Sequence, residues 1–233
     1  MSSLLVIHVP GWEVLLGASS LDLGGIFMAL FPLFLLVMVV SLLGDFLRSP
    51  KVKGRIGEAF VSVGALKRLD PKVYRVFNDL VLPRPDGKGT TQIDHVVVSP
   101  FGIFVIETKN YEGWIFGDEG SRQWTQVIYG KKSRFQNPLH QNALHVRALA
   151  IATGLPRECF HNLVYFAGDA TLKTPLPPQV MTEGLVSFIR RYQAEVIPPK
   201  ELAFAMFILD AATLAAPEQR QAHQRQVSVG KRG

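Results

Sequence analysis

The chain has 233 residues, of which 48% are hydrophobic, and its formal net charge is +6 with a pI of about 9.5. This length allows one globular domain of ordinary size beside a single membrane helix. The one cysteine excludes a disulfide framework and a cysteine-based metal site, and the histidines do not form a zinc pattern. The positive charge suits nucleic acid or anionic lipid headgroups, without choosing between them.

A long apolar segment near the N-terminus predicts a membrane span. Residues 23–43 contain no charged side chain and are rich in Leu, Phe, Val and Met. About 20 such residues cross the roughly 30 Å hydrocarbon core of a bilayer, so we predict a transmembrane helix over residues 23–44, after a short segment of residues 1–22. The basic linker of residues 45–53 then places the C-terminal domain in the cytoplasm of a single-pass protein. A buried core helix is the alternative.

The next segment, from Gly54 to Leu69, has the pattern of a helix with an acid in its first turn. Apolar residues such as Ile56 and Phe60 recur at three- and four-residue steps and make one face. Glu58 lies in the first turn, where a carboxylate interacts favourably with the helix dipole. That interpretation is sufficient for Glu58 alone, but beside further acids Glu58 becomes a candidate metal ligand.

Two predicted strands, residues 93–99 and 103–109, carry charged side chains among apolar ones. Because side chains alternate between the faces of a strand, Glu107 and Lys109 share a face. The Ser-Pro-Phe-Gly sequence between the strands predicts a tight turn and a β-hairpin. Antiparallel pairing then brings Asp94, near the start of the first strand, next to Glu107, near the end of the second. Charges in such an apolar setting are rarely buried without a partner or a task.

This arrangement is suited to a hard divalent cation. Two neighbouring carboxylates can bind Mg²⁺, which takes oxygen ligands and usually keeps several waters. Such an ion polarises a scissile phosphate and lowers the pKa of a bound water, while Lys109 orients that water or neutralises charge on the phosphorane. An ordinary ion pair between Lys109 and Glu107 or Asp94 is the alternative. An isolated Glu-x-Lys triplet favours that alternative, whereas Asp94 and the apolar setting favour the metal site.

Motifs in this part of the chain resemble a known family. G-x-x-G-E spans Gly54 to Glu58, Q-I-D-H-V-V-V-S spans Gln92 to Ser99, and G-I-F-V-I-E-T-K-N spans Gly102 to Asn110. In this order, and followed by a hairpin around Trp124, they are similar to the NERD (nuclease-related) domain, which is assigned to the PD-(D/E)xK nuclease superfamily. The resemblance covers about half of the chain, roughly Lys51 to Tyr165.

The resemblance implies a fold and a set of site residues. The implied fold is α/β, with a mixed central β-sheet flanked by helices, as in restriction endonucleases. Asp94 and Glu107 are implied to be the metal-binding acids, Lys109 the catalytic lysine, and Glu58 a further acid of the site. In this chain, Ile93-Asp94 replaces the Pro-Asp of the superfamily motif.

A second predicted hairpin, rich in aromatic residues, follows the candidate site. Trp114 and Phe116 lie on one arm and Trp124 on the other. These rings either stack on nucleic-acid bases or pack against each other across the strands. The basic run of residues 130–134 either contacts phosphates or forms a solvated turn.

Asn137-Pro138 opens a further predicted helix, and Gln141 lies in its first turns. The resemblance includes an Asn-Pro followed by a Gln at this location. Gln141 then either hydrogen-bonds Lys109 or the substrate backbone, or is simply a polar residue at a helix N-terminus.

The rest of the chain predicts the C-terminal part of the same domain, residues 54–216. Residues 160–168 have the pattern of a strand, residues 182–194 that of an amphipathic helix and residues 201–214 that of an apolar helix. Residues 217–233 are polar and basic, so we predict a disordered tail.

The leading hypothesis is a membrane-anchored nuclease that depends on Mg²⁺ or Mn²⁺ and hydrolyses DNA phosphodiester bonds. Its partners are therefore DNA and the membrane. The residues assigned to catalysis are Glu58, Asp94, Glu107, Lys109 and Gln141, and the assigned metal ligands are Asp94, Glu107 and Glu58.

Two other hypotheses remain open. In the first, the domain retains the nuclease fold without catalysis and binds nucleic acid or a protein partner at the membrane. In the second, the chain is a membrane-anchored sensor whose C-terminal helices dock a partner. The intact set of two acids and a lysine argues against a complete loss of chemistry. Oligomeric state is not predicted.

Overall fold

The computed structural model of the chain describes residues 35–38, 40–41 and 64–230, with side chains described as far as residue 215. The chain divides into two units, residues 1–48 and 49–233, and the strands and helices below belong to the second unit. The part of the predicted helix that carries Glu58 lies outside the described residues.

Nine strands and three α-helices make up the described part of this unit. The strands are β1 (Arg75–Pro83), β2 (Thr90–Ser99), β3 (Gly102–Lys109), β4 (Gly113–Phe116), β5 (Gln123–Ile128), β6 (Lys131–Gln136), β7 (Phe160–Phe166), β8 (Ala170–Leu172) and β9 (Val180–Met181), and the helices are α1 (Pro138–Thr153), α2 (Leu185–Ile189) and α3 (Pro199–Gly230). Short 3₁₀ turns lie at Leu66–Arg68 and Arg157–Cys159.

The main sheet has five strands in the order β1-β2-β3-β7-β9. β1, β2 and β3 are antiparallel neighbours, whereas β7 runs parallel to β3 and β9 runs parallel to β7. Helices α1 and α3 share an apolar cluster with one face of this sheet, and α2 shares a second cluster with the other face. The predicted α/β class, with a mixed sheet flanked by helices, is therefore confirmed.

The predicted β2–β3 hairpin is also confirmed. Its register pairs Ser99 with Gly102 and His95 with Ile106. The turn requires glycine at Gly102, because its φ is +131° and a Cβ there would lie 2.7 Å from Nε2 of His161. The turn residues thus fix a register that determines which residues of β2 and β3 lie side by side.

A smaller sheet of four strands, in the order β6-β5-β4-β8, packs beside the main sheet. Ile115 and Trp124 on its inner side are fully buried and join an apolar cluster with Val164 and Phe166 of β7. The predicted second hairpin corresponds to β4 and β5. The basic run beyond it forms most of a further strand, β6, rather than an isolated turn.

Helix α1 is held at its start by the buried side chain of Asn137. Oδ1 of Asn137 accepts a hydrogen bond from the backbone N–H of Leu139 at 2.9 Å, which caps the helix, and Pro138 occupies the first turn. Nδ2 of Asn137 donates to the backbone carbonyls of Asp118, Glu119 and Ser121 in the β4–β5 turn. One side chain therefore fixes α1 against the smaller sheet.

The C-terminal helices differ in length from their predictions. The amphipathic helix predicted over residues 182–194 is reduced to the five residues of α2, because Gly184, with a φ of +73°, precedes it in a left-handed conformation. In contrast, the backbone of α3 remains helical to Gly230, where we predicted a disordered tail over residues 217–233. Ala, Gln and Arg are frequent in this segment and favour a helix by intrinsic propensity. The predicted domain boundaries stay a prediction.

The predicted single-pass membrane localisation is wrong for the part of the chain that the structure describes, which also gives the predicted transmembrane helix no support. Among residues 35–38, 40–41 and 64–230, no helix combines the length and the apolar character that crossing a bilayer requires. Within the predicted span of residues 23–44, the six described residues are helical, and the others lie outside the described part of the chain.

The contacts of Asn137 generate a stability prediction. Asn137→Ala removes the cap and the donor to three carbonyls, and we expect it to lower the free energy of unfolding by about 1–3 kcal/mol. Asn137→Asp keeps a capping oxygen but turns a carboxylate towards those carbonyls, so we expect it to be at least as destabilising. Urea denaturation followed by circular dichroism measures both. If Asn137→Asp is as stable as the wild type, the three carbonyl contacts contribute nothing to the free energy of unfolding.

Candidate active site

The predicted acids lie where β2 and β3 separate. The last pair of the β2–β3 register towards this end is His95 with Ile106. One residue further, Oδ2 of Asp94 accepts a hydrogen bond from the backbone N–H of Thr108 at 2.9 Å. The carboxylate of Asp94 therefore occupies the position of a strand partner and lies beside the end of β3, which carries Glu107.

Glu107 is a buried acid with a lysine in direct contact. Its side chain is 3% exposed and that of Lys109 is 17% exposed. Nζ of Lys109 donates a hydrogen bond to Oε1 of Glu107 at 2.6 Å. The distance and the burial both identify a desolvated ion pair, which is more strongly held than a pair at the surface.

Helix α1 completes the surroundings of this pair. Gln141 and His145 are four residues apart, so they lie on the same face of the helix. Oε1 of Gln141 accepts a hydrogen bond from Nζ of Lys109 at 3.1 Å. Nε2 of His145 lies 3.2 Å from Oε2 of Glu107. The Lys109–Gln141 contact, one of the alternatives that the sequence left open, is thus present, and the catalytic role of Gln141 stays a prediction.

The hydrogen bonds define the protonation pattern of this network. An ionised carboxylate only accepts, so the Nε2 of His145 carries the hydrogen that is donated to Glu107. Nδ1 of His145 lies 2.9 Å from Oγ1 of Thr91, which orients the ring from the other side. Thr91, His145, Glu107, Lys109 and Gln141 therefore form one continuous chain of hydrogen bonds across β2, β3 and α1.

Glu107 and Lys109 keep each other charged. Burial disfavours the charged form of Glu107, but the hydrogen bond from His145 and the charge of Lys109 together outweigh it, so the pKa of Glu107 is lowered. Burial likewise opposes the charge on Lys109, but the neighbouring Glu107 raises the pKa of Lys109 above its usual range. At neutral pH the pair is an ionised carboxylate and an ammonium group.

An irregular backbone position lies opposite the candidate metal-binding acid. The β1–β2 register places Asp79 opposite Asp94, and Asp79 has a left-handed φ of +55°. Asp tolerates this conformation better than most residues, and Nε2 of Gln92 donates to its Oδ1 at 3.0 Å. In a regular strand, side chains three residues apart point to opposite faces. Because the strand is irregular at Asp79, Phe77 and Leu80 instead join the same apolar cluster. Strained positions of this kind concentrate at functional sites.

Two of the described residues of this site could serve as ligands of a divalent cation. Asp94 and Glu107 supply two carboxylates, and Mg²⁺ is usually held by one or two carboxylates with waters and substrate phosphates. No cluster of three or more His, Cys, Asp or Glu side chains that could hold a metal occurs within the described ranges. Such a set suits Mg²⁺ or Mn²⁺ better than a closed zinc site. Glu58, the predicted third acid, lies outside the described residues.

His145 and Thr91 are the members of the network that sequence reasoning missed. They are 38 and 54 residues away from their respective partners in the chain. The available signal was spacing, because His145 follows Gln141 by one helical turn and must therefore approach the same part of the sheet.

His95, next to Asp94, is a buried histidine outside the network. Its side chain is almost completely buried, and Nδ1 lies 2.8 Å from Oδ1 of Asn78. Its Nε2 has no hydrogen-bond partner among the described residues. Burial lowers the pKa of His95 to about 4, although the charges of Asp79 and Glu107 oppose that change.

This lowered pKa generates a prediction about acid stability. The unfolded chain binds a proton at His95 near the ordinary pKa of 6.5, whereas the folded protein does so only at about 4. The contribution of His95 is therefore fully present above pH 6.5 and is lost as the pH falls from 6.5 to 4, at up to about 1.4 kcal/mol per pH unit. We expect His95→Asn to remove this slope from the free energy of unfolding, measured with urea at several pH values.

The exposed Phe207 provides the control. Phe207→Leu changes a side chain that carries no titratable group, so it should leave the slope unchanged. Equal slopes for wild type and His95→Asn between pH 6.5 and 4 would contradict the prediction.

Comparison with known proteins agrees with the motifs of this site. Residues 53–167, which contain Asp94, Glu107, Lys109, Gln141 and His145, match the family model described as the nuclease-related domain, NERD. An uncharacterized protein of Bacillus anthracis is 52% identical over 100 residues, which are 43% of this chain and 46% of that protein. The chain thus spans less than half the length of this relative. The search of solved structures found no match to this chain. The match to the nuclease-related domain model supports the resemblance that the motifs carry.

Proposed function

We propose that this chain is a divalent-metal-dependent nuclease that hydrolyses DNA phosphodiester bonds. The observation that supports it most is the ionised Glu107, buried between Lys109 and His145 and adjacent to Asp94. A nuclease-related domain with two acids and a lysine at one strand end has the groups that such hydrolysis needs. Its topology would be related to that of restriction endonucleases.

Asp94 and Glu107 would hold Mg²⁺ or Mn²⁺, with Glu58 as a further acid. When bound, the cation polarises the scissile phosphate and lowers the pKa of an attacking water. The chain contributes a carboxylate pair that is held in place before the cation arrives. Oδ2 of Asp94 is fixed by the backbone of Thr108, and both oxygens of Glu107 are fixed by side chains. This preorganisation reduces the reorganisation that would otherwise accompany cation binding.

Lys109 acts as a cation rather than as a base. Its raised pKa keeps the ammonium group charged at neutral pH. Two of its three hydrogens are directed to Glu107 and Gln141, and the third would reach the attacking water or a phosphate oxygen. In the transition state, a fixed positive charge at that place stabilises the developing negative charge.

Gln141 and His145 position the charged groups. Gln141 is uncharged, so its carbonyl orients Lys109 without neutralising it. His145 donates to Oε2 of Glu107 and leaves Oε1 directed towards Lys109. His145 is therefore a positioning residue for Glu107, and Thr91 holds the ring of His145 in place.

One observation favours a second candidate function, a nuclease-fold module that binds nucleic acid or a protein without cutting. Both oxygens of Glu107 already have hydrogen-bond partners in the protein, so this acid is satisfied without a cation. The two candidates differ in metal binding. Calorimetric titration with Mn²⁺ in the absence of DNA should release or absorb heat for the nuclease and none for the module.

The nuclease proposal predicts cleavage that depends on Glu107 and Lys109. We expect the full chain to cut supercoiled plasmid DNA with Mg²⁺ and not with EDTA. Glu107→Gln keeps the size of the side chain but removes its charge, and Lys109→Met removes the ammonium group. We expect each change to lower the cleavage rate by about 100-fold or more, because each removes electrostatic stabilisation of the transition state. Gel electrophoresis over a time course measures the rates.

Glu158→Gln is the matched control, because Glu158 is an exposed acid away from the site. This variant should cut at the wild-type rate. If wild type and Glu107→Gln cut equally fast, the cleavage comes from a contaminant and the proposal fails.

The positioning role of His145 predicts a difference between two substitutions. His145→Leu removes the donor to Glu107, and we expect it to weaken Mn²⁺ binding by about 10- to 100-fold, as is typical when a hydrogen-bond partner of a metal ligand is lost. His145→Gln returns a side-chain N–H near the former Nε2, so we expect it to recover most of the affinity. Calorimetry measures the affinity, and thermal unfolding shows whether the two variants remain folded. Equal losses of affinity in two folded variants would refute the positioning role.

A further inference from the structure

The smaller sheet has one face that packs on the protein and one that is open. Register pairs Lys132 with Val127 and Val127 with Trp114, so these three side chains point to the same side. The next row on that side contains Arg134 and Phe116. We define the outer face by Trp114, Phe116, Lys132, Arg134 and Lys173.

The two tryptophans of this sheet differ sharply in exposure. Trp124 points inward and is fully buried, whereas Trp114 is 52% exposed and Phe116 is 36% exposed. The inner ring packs across the sheet interface, with Phe135 and Phe166 as its aromatic neighbours. Packing therefore accounts for Trp124, but it leaves two large aromatic side chains side by side in solvent, which is a mark of an interaction surface.

The outer face is also basic. Lys132 and Arg134 are exposed on β6, and Lys173 places Nζ 4.9 Å from the centre of the Trp114 ring. None of the described strand positions on this face is acidic. Glu112 and Asp169 line a cleft beyond the end of β4 that Trp114 also borders. Phosphate groups are therefore expected along the β6 side of the face.

The hairpin tip adds a third exposed aromatic ring at a conformational cost. Tyr129 and Gly130 connect β5 to β6 with φ values of +47° and +77°, which is the pattern of a type I′ turn. Asn and Gly are preferred in such a turn, because a bulky side chain is strained at positive φ. Tyr129 is nevertheless present and fully exposed, and it borders a cleft of about 580 Å³ that also contacts Trp114.

We propose that the outer face binds single-stranded DNA, with bases stacked on Trp114, Phe116 and Tyr129 and phosphates near Lys132, Arg134 and Lys173. Unpaired bases have free faces that stack on aromatic rings, whereas the bases of a duplex are already stacked on each other. Exposed rings and cations alternate on this surface. That alternation fits a single strand, which offers both bases and phosphates, better than a ligand that offers phosphate groups alone. The choice of DNA rests on the proposed nuclease function.

The strand that carries Trp114 and Phe116 begins shortly after the candidate active site in the chain. Three residues separate Lys109 at the end of β3 from β4, which carries Trp114 and Phe116. At the other end of β4, the β4–β5 turn is held by Asn137 and by Nε2 of His140, which lies 2.9 Å from the carbonyl of Glu119. The same helix, α1, carries Gln141. The proposed binding surface and the candidate site are therefore joined by a short connection along the chain and by contacts of α1 with the smaller sheet.

Fluorescence anisotropy of a labelled oligothymidine with the full chain in EDTA tests this binding without cleavage. We expect Trp114→Leu and Phe116→Leu each to weaken binding by about 5- to 150-fold, the range for the loss of one stacked base. Lys132→Gln should lower the dependence of log affinity on log salt by about 0.7, the value for one phosphate contact on a single strand. Tyr129→Asn should weaken binding and raise the thermal stability, because Asn suits the turn.

Two variants distant from the smaller sheet are the matched controls. Phe207→Leu changes an exposed aromatic side chain on α3, and Arg147→Gln changes an exposed cation on α1. Both should bind like the wild type. Affinities of Trp114→Leu and Phe116→Leu within twofold of the wild type would overturn the proposal. Tighter binding of a duplex of the same length, of oligouridine, or of anionic lipid vesicles would overturn the assignment to single-stranded DNA.

The result is separable from the test of the nuclease itself. Glu107→Gln should bind oligothymidine in EDTA like the wild type, because it does not touch the outer face. If binding depends on Trp114 and no cleavage occurs, the proposal for the outer face is kept and the nuclease proposal is rejected. Cleavage that depends on Glu107 together with binding that ignores Trp114 would reject the outer face alone.

Discussion

The structure depends on one buried carboxylate. Glu107 lies in a strand whose other side chains are mostly apolar, and an isolated charge in that position would be very unfavourable. Lys109 supplies the opposite charge and His145 supplies a second donor, so the carboxylate remains ionised. The removal of either partner would leave part of a buried charge uncompensated. This requirement explains why a charged group is retained at a place that packing alone would fill with Val or Ile.

The same carboxylate requires helix α1 to lie at one particular position on the sheet. Gln141 and His145 reach Lys109 and Glu107 only if the helix crosses the end of β3 with this face inward. The helix is fixed there by buried amides as well as by apolar contacts, because Nδ2 of Asn142 donates to the carbonyls of Val105 and Leu163 in the two central strands. Hydrogen bonds have strict geometry, whereas apolar contacts tolerate sliding. The polar contacts therefore set the helix position with the accuracy that a catalytic site needs.

The sequence predicted the local parts of this arrangement and missed the parts that depend on docking. Period-two alternation and the Pro-Phe-Gly turn were sufficient for the β2–β3 hairpin, which places Asp94 beside the end of β3, because this is a consequence of short-range geometry. The contact between Gln141 and Lys109 was one of the alternatives that the family resemblance left open. The contacts of His145 and Thr91 join distant segments, and no local pattern specifies them. The C-terminal helices differ from their predictions, because Gly184 delays the start of α2 and because the backbone of α3 remains helical in a segment whose polar composition favoured disorder.

Backbone strain links the two surfaces to which function is assigned. Among the described residues, two non-glycine positions have a positive φ, Asp79 and Tyr129. Asp79 lies opposite Asp94 in the main sheet, and Tyr129 forms the tip of the hairpin beside Trp114. Each position costs free energy that a different residue or a regular strand would avoid, on the order of 1–3 kcal/mol. The strain therefore lies at the acid site and at the exposed aromatic face, where it places an acid beside the candidate cation site and a ring where an unpaired base can stack.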